Sequence, residues 1–333
     1  MATRRDVLKG LTALAAVPAH AAGTGFLYET APFPSCHAST LVETGAGDVL
    51  AAWFGGTRER APDVCIWTAR FDGTRWSPIA KVAEEPGIPT WNPVLWRDGD
   101  GGLILFYRAG PSPETWSTLI KRSADHGRTW SEPELLPAGI LGPIKNKPIA
   151  GLRGEIVAGS SVESYRAWTS WVEISADGGR TWSKHGPIVV PGVPEGNIQP
   201  SLWRCTDGRL RMVVRTTRAV GRVGLAESRD EGRTWSAVRP TSLPHPNAGV
   251  DAVKLADGRV LLVYNHTPQG RTPLSLALSD DDGDTWRPRR ALEDGPGEYS
   301  YPAVIQARDG RIHVSYTWRR ERIKHVVLAP ADL

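Results

Sequence analysis

An eight-residue string recurs four times in this chain: SADHGRTW (Ser123–Trp130), SADGGRTW (Ser175–Trp182), SRDEGRTW (Ser228–Trp235) and SDDDGDTW (Ser279–Trp286). The closing tryptophans are 52, 53 and 51 residues apart, and a worn copy, FDGTRW, ends at Trp76, 54 residues before Trp130. A second motif keeps the same beat. A glycine opens an apolar run at Gly47, Gly102, Gly154, Gly208, Gly258 and Gly310. A period near 50 residues with several short apolar runs per unit marks a radial β-repeat. Residues 23 to 333, divided by that period, give six units. The predicted fold is therefore all-β: a single six-bladed β-propeller of four-stranded antiparallel blades over residues 23–333.

The repeated string itself reads as scaffold. Its Ser and Asp side chains can bond nearby backbone groups, and its Gly supplies a left-handed turn position. The Trp is an apolar wedge that packs between strands. Asp125, Asp177, Asp230 and Asp281 are thus turn fasteners, and the chemistry must be sought elsewhere.

Residues 1–22 read as an export signal of the twin-arginine type. Arg4 and Arg5 precede an apolar stretch, Leu11 to Val17, and a small-residue ending. The expected location is the periplasm or outside the cell. No segment reaches the ~18 apolar residues of a membrane span, so no membrane insertion is expected. Removing Arg4, Arg5, Lys9 and Asp6 lowers the net charge of +4 by two. That mild surplus, without a basic stripe interleaved with aromatics, excludes a nucleic-acid partner and suits an acidic small substrate. Three cysteines (Cys36, Cys65, Cys205) are too few for a disulfide scaffold and lack metal-ligand spacing; one disulfide and buried free thiols both stay open. With no nucleotide loop, zinc-ligand spacing or serine-nucleophile motif, no cofactor and no metal is expected. No oligomeric state follows from the sequence.

A propeller assembles its site from one position repeated around the axis. About ten residues before each glycine run stands HASTL (His37), NPVLW (Asn92), KPIAG (Lys147), QPSLW (Gln199), DAVKL (Asp251) or YPAVI (Tyr301). The surroundings repeat while the residue differs, as a site for a polar, asymmetric ligand requires; a polar plug in the channel is the competing explanation. A second ring, seven residues past each glycine, includes Arg215 and Thr317. Arg58, Glu59, Asp63, Glu163 and Arg271 are loop charges at blade ends.

These residues carry a resemblance. The four strings are the Asp boxes of the sialidase (neuraminidase) superfamily, and the chain resembles a bacterial sialidase-like protein over nearly all of residues 23–333. The resemblance implies an exo-α-sialidase-like glycoside hydrolase that cleaves a terminal sialic acid or related acidic sugar with retention. It implies a Tyr nucleophile partnered by a carboxylate, an Asp acid/base and three arginines on the substrate carboxylate. Arg215 and Arg271 match two of the arginines, Tyr301 the nucleophile, with Tyr299 a rival on the same strand face, and Asp63 the acid/base. The first arginine's position holds His37, and its supporting glutamate's position holds Thr317. The Tyr's carboxylate partner falls on Gln199, leaving Asp251 or Glu298 to take that task, with Lys147 and His37 replacing the lost arginine. Two alternatives stand beside the hydrolase: a polysaccharide lyase acting on uronic-acid glycans, and a non-catalytic glycan-binding propeller.

Overall fold

The computed structural model describes residues 23–333; the export-signal reading of residues 1–22 lies outside them. Twenty-four strands form six four-stranded antiparallel sheets, and the only helix among the described residues is a 3-10 turn at Pro330–Asp332. Five sheets take four consecutive strands each. The sixth borrows the first strand, Thr24–Phe26, which pairs with the last, Arg322–Leu328, so that Gly25 lies opposite His325. The two ends of the described chain therefore close the ring within one blade.

Burial follows strand position in each blade. Central strands are covered by neighbouring blades on both faces, so they are buried along their whole length rather than at alternate residues. Leu210–Thr216, Val260–Asn265 and Leu274–Ser279 are buried at every residue. The outermost strand of the fifth blade, Arg287–Glu293 (RPRRALE), is exposed at its first five residues, and its charges protect a free sheet edge.

The four box turns are nearly superimposable in their bonding. In each, the Ser hydroxyl donates to the Asp carboxylate at 2.7–2.9 Å and accepts the Gly N–H two residues beyond that Asp. The Thr hydroxyl donates to the other carboxylate oxygen at 2.6–2.7 Å. The tryptophans wedge against the preceding blade: Trp182 meets Phe106 edge-on, and Trp286 meets Trp203 likewise. A Cβ on Gly283, which has φ +97°, would meet Trp203 at 2.8 Å, so that turn needs glycine for space as well as for conformation.

All three cysteines are free thiols. Burial pushes Cys36 up to about 12 and Cys205 to about 11, which keeps both in the unreactive thiol form.

Candidate functional site

Strand register fixes which residues share a level at the axis, and it revises the expected ring. Each innermost strand pairs with its neighbour at Glu43↔Val49, Arg97↔Leu103, Ala150↔Ile156, Arg204↔Leu210, Lys254↔Val260 and Gln306↔Ile312. The same distance back along the chain stand Ala38, Asn92, Lys145, Gln199, Gly249 and Tyr301, of which Lys145 and Gly249 precede their strands. Asn92, Gln199 and Tyr301 occupy the predicted level. His37 lies one residue outside it, and Lys147 and Asp251 lie two residues deeper. The reason is local. In blades one, two, four and six the pairing is interrupted by a bulge, with Ala38, Asn92, Gln199 and Tyr301 in the left-handed region at φ +57°, +31°, +56° and +53°. Lys145 and Gly249 have no such φ, so aligning the six segments on their Pro or Ala slips blades three and five by two residues.

Tyr301 is 8 % exposed. Its phenol oxygen accepts a hydrogen bond from Arg215 Nη1 at 2.6 Å and a longer one from Gln199 Nε2 at 3.3 Å. The Arg215 and Arg271 guanidinium carbons and the Lys145 Nζ lie 5.7, 5.6 and 5.8 Å from the ring centre. Gly249 makes room for this packing: a Cβ there would meet the Tyr301 ring at 3.2 Å and Lys145 Cε at 3.3 Å. Arg215 is fixed further by Nε donating to Asn247 Oδ1 at 2.7 Å, while its Nη2 makes no hydrogen bond within the described residues. Arg215, Arg218, Asn247, Gly270, Arg271 and Glu298 line an open cavity of about 420 Å³. Two larger hollows, about 880 Å³ beside the first strand and about 660 Å³ around Lys147 and Gln306, are lined by neither Arg215 nor Arg271, and Tyr301 lines none of the three.

Glu298 organises the cationic wall. Its Oε1 accepts from Arg271 and from Arg320, both at 2.7 Å, and from Ser300 Oγ at 3.1 Å. Burial works against its charge, but the two guanidinium groups outweigh burial and hold its carboxyl below the usual range. Arg320 reaches on to Glu59 at 2.6 Å. Arg320 was not anticipated from the sequence, because the run WRRER looks like a solvated hairpin. Its φ of +63° and the 2.8 Å bond from Cys36 N–H to its carbonyl turn it back toward the first blade.

The two substituted positions of the family pattern touch each other. His37 Nδ1 and Thr317 Oγ1 are 2.8 Å apart, and Thr317 Oγ1 also accepts the Ala38 N–H at 3.2 Å. The direction of the His37–Thr317 bond follows the imidazole tautomer, and the ring's other nitrogen is Nε2. That nitrogen is buried without a partner, on a ring whose centre is 4.0 Å from that of Tyr301. Burial, joined by the charges of Arg320, Arg271, Arg215 and Lys145, holds His37 well below the usual histidine range, so it stays neutral.

Lys147 and Asp251 form a floor beneath this level. Lys147 Nζ bonds both Asp251 oxygens at 3.0 and 2.9 Å, and the same carboxylate accepts from Ser201 Oγ at 2.7 Å and Val304 N–H at 2.8 Å. One carboxylate thus ties four blades, with no hydrogen bond to Tyr301; neither Asp251 nor Glu298 reaches the phenol. Lys145, one level up, donates to Asn146 Oδ1 at 2.8 Å, to the Val250 carbonyl at 3.2 Å and to the Pro302 carbonyl. Burial, with Asp251 opposing, lowers its ammonium to about 7.

The remaining candidates are spread out. Tyr299 donates to the Pro296 carbonyl at 3.2 Å and packs near Trp318; the bulge after Ser300 breaks the alternation that would have put it on Tyr301's face. Asp63 is exposed and accepts from Thr57 N–H at 2.9 Å and Thr57 Oγ1 at 2.7 Å, bonds that hold it below the usual range. Arg58 is exposed. Asn92 is buried, its Nδ2 3.4 Å from the Ile144 carbonyl. Glu163 ends the strand Ile156–Glu163, opposite Trp168. Among the described residues, no group of three or more His, Cys, Asp or Glu could hold a metal ion.

A family model described as "BNR repeat-like domain" matches residues 47–314. A sialidase of Micromonospora viridifaciens is 27 % identical over 267 residues, covering 66 % of this chain and 39 % of the relative. A sialidase of Bacteroides fragilis is 24 % identical over 222 residues, covering 61 % and 40 %. The chain thus spans about two fifths of the length of these relatives. Among solved structures, a Hadza microbial sialidase superposes with a TM-score of 0.76 at 20 % identity, covering 90 % of this chain and 66 % of that one. An intramolecular trans-sialidase from Ruminococcus gnavus, in complex with oseltamivir carboxylate, superposes at 0.73 and 14 % identity, covering 94 % and 98 %.

Proposed function

The chain belongs to the BNR repeat-like domain family, and from that membership and its axial site we propose that it is an exported exo-glycosidase, releasing a terminal sialic acid or related acidic sugar with retention. The observation that carries this reading is Tyr301: a buried phenol in the axial ring, its oxygen bonded by Arg215, which itself lines a cavity with Arg218 and Arg271.

In this reading Arg215, through its unfilled Nη2, and Arg271 bind the substrate carboxylate by charge-assisted hydrogen bonds. Arg320 takes the third place, held by Glu298 and Glu59, while His37 places a neutral imidazole where the family pattern has an arginine. Tyr301 attacks the anomeric carbon, a recognised exception to paired carboxylates among glycosidases. The positive charges around its ring stabilise the negative charge that develops on its oxygen as its proton is lost. Gln199 cannot accept that proton, so charge stabilisation stands in for a carboxylate base.

The absence of a carboxylate hydrogen bond to the phenol also favours a second reading, elimination across a uronic acid with Tyr301 as base. The same assay separates the two. Residues 23–333 are incubated with a fluorogenic sialic-acid glycoside and with uronic-acid glycans. Hydrolysis lost in Tyr301→Phe supports the glycosidase; ultraviolet-absorbing unsaturated products supports the lyase.

A further inference from the structure

Glu163 is a half-buried carboxyl that makes no hydrogen bond and no ion pair among the described residues, although charged side chains surround it. Structural carboxylates elsewhere in the molecule do not look like this. Glu173 is fully buried but accepts the Leu141 and Gly142 N–H groups and pairs with Lys184, and Asp251 is saturated as described.

Its position is equally specific. Glu163 sits opposite Trp168 across its hairpin, and the Arg215 guanidinium lies 5.9 Å from the Trp168 ring. Arg215 in turn bonds the Tyr301 oxygen. The charges that act on Glu163 come from three other blades: Arg215 from the fourth, Glu114 from the second, and Glu59 and Arg60 from the first. Asp63, by contrast, is exposed and tied to Thr57.

We propose that Glu163, paired across its hairpin with the Trp168 ring over which Arg215 lies, is the proton donor of the reaction in place of Asp63. This rests on the glycosidase reading. In the first step the Glu163 O–H bond breaks and its proton passes to the glycosidic oxygen, while that oxygen's bond to the anomeric carbon breaks. The Tyr301 oxygen bonds the carbon and its phenol proton goes to solvent. In the second step the Glu163 carboxylate takes a proton from water as the water oxygen displaces Tyr301, which recovers its proton from solvent. A donor must hold a proton near neutral pH. Burial pushes Glu163 up to about 7, with Glu114 and Glu59 adding to the effect and Arg215 opposing it; Asp63 is held in the opposite direction.

The test compares two sialosides, one with an aryl leaving group that needs no protonation and one with a sugar alcohol that does. Glu163→Gln is expected to lower kcat/KM for the sugar-alcohol substrate by about 100-fold or more and for the aryl substrate less than about tenfold. In the unaltered protein, kcat/KM for the sugar-alcohol substrate should fall as pH rises through about 7, far more steeply than for the aryl one. That comparison needs no variant to fold. Equal losses on both substrates in Glu163→Gln, no loss on either, or the selective loss appearing in Asp63→Asn instead would overturn the proposal while leaving the glycosidase reading intact. An unaltered protein inactive on both substrates would overturn the glycosidase reading, and the donor role with it.

Discussion

The box turns at the rim and the ring of residues at the axis are both repeated around this propeller, and they repeat in opposite ways. At the rim four turns use the same atoms at the same distances, because each solves the same problem of closing a hairpin against the neighbouring blade. At the axis four of the six blades share a left-handed bulge, while the residue at that level changes from Ala38 through Asn92, Lys145, Gln199 and Gly249 to Tyr301. Four copies of one structure stabilise a fold. Six different groups at one level suit the proposed ligand, because a sugar has no sixfold symmetry. Identity across repeats therefore marks scaffold here, and divergence among equivalent positions is what the proposed chemistry needs.

The largest expected effect is at the axis. Tyr301→Phe removes the phenol oxygen and should lower kcat/KM by about 1,000-fold with the melting temperature nearly unchanged; a modest loss would make Tyr301 an ordinary member of a polar ring. One level down, Asp251→Ala should reduce unfolding free energy by about 3–5 kcal/mol, since it strands the Lys147 ammonium and the Val304 N–H. Denaturant unfolding measures this. Unchanged stability with lost turnover would move Asp251 from the floor of the site into its chemistry. Arg215→Lys keeps the charge but loses the fork that serves Tyr301, Gln199 and Asn247 together, and should weaken kcat/KM by about 10- to 100-fold.

Rim changes should be smaller and silent in catalysis. Asp177→Ala removes the acceptor of the Thr181 N–H and hydroxyl, comparable to losing a helix cap, and should cost about 1 kcal/mol with kcat unchanged; a loss of turnover would blur the distinction between rim and axis. Acid gives the collective version. Asp177 and Asp230 are lowered from 3.8 to about 2. For Asp177 the leading cause is its bond from Thr181, while for Asp230 the bonds from Thr234 and Ser228 outweigh burial. A depressed folded-state value means their stabilisation is fully present above the unfolded value of 3.8 and is lost as pH falls through about 2. The melting temperature should therefore drop across that interval in the parent protein, and less steeply in an Asp177→Asn, Asp230→Asn double variant.

The rim was far more legible in the sequence than the axis. The strings at Trp130, Trp182, Trp235 and Trp286 exposed the blade count because their bonds are local, within four residues along the chain. The axial ring is read across blades, and its level depends on bulges. Where a left-handed residue precedes Pro, as at Asn92, Gln199 and Tyr301, the motif marked the level. In blades three and five Pro148 and Ala252 drew attention to Lys147 and Asp251, and Lys145 and Gly249 were missed. Arg320 was hidden for another reason: its function depends on a hairpin folding back on Cys36, which no spacing reports. Tyr299 illustrates the converse, since simple alternation would have paired it with Tyr301 had the strand been regular.

The most direct test of the account is to treat the protein with a fluorinated sialic-acid inactivator, which slows breakdown of a covalent intermediate, and to map the labelled peptide by mass spectrometry. The account predicts one sugar per chain, attached to the Tyr301 oxygen. A label on another residue, or turnover of sialosides with no covalent adduct at all, would contradict it.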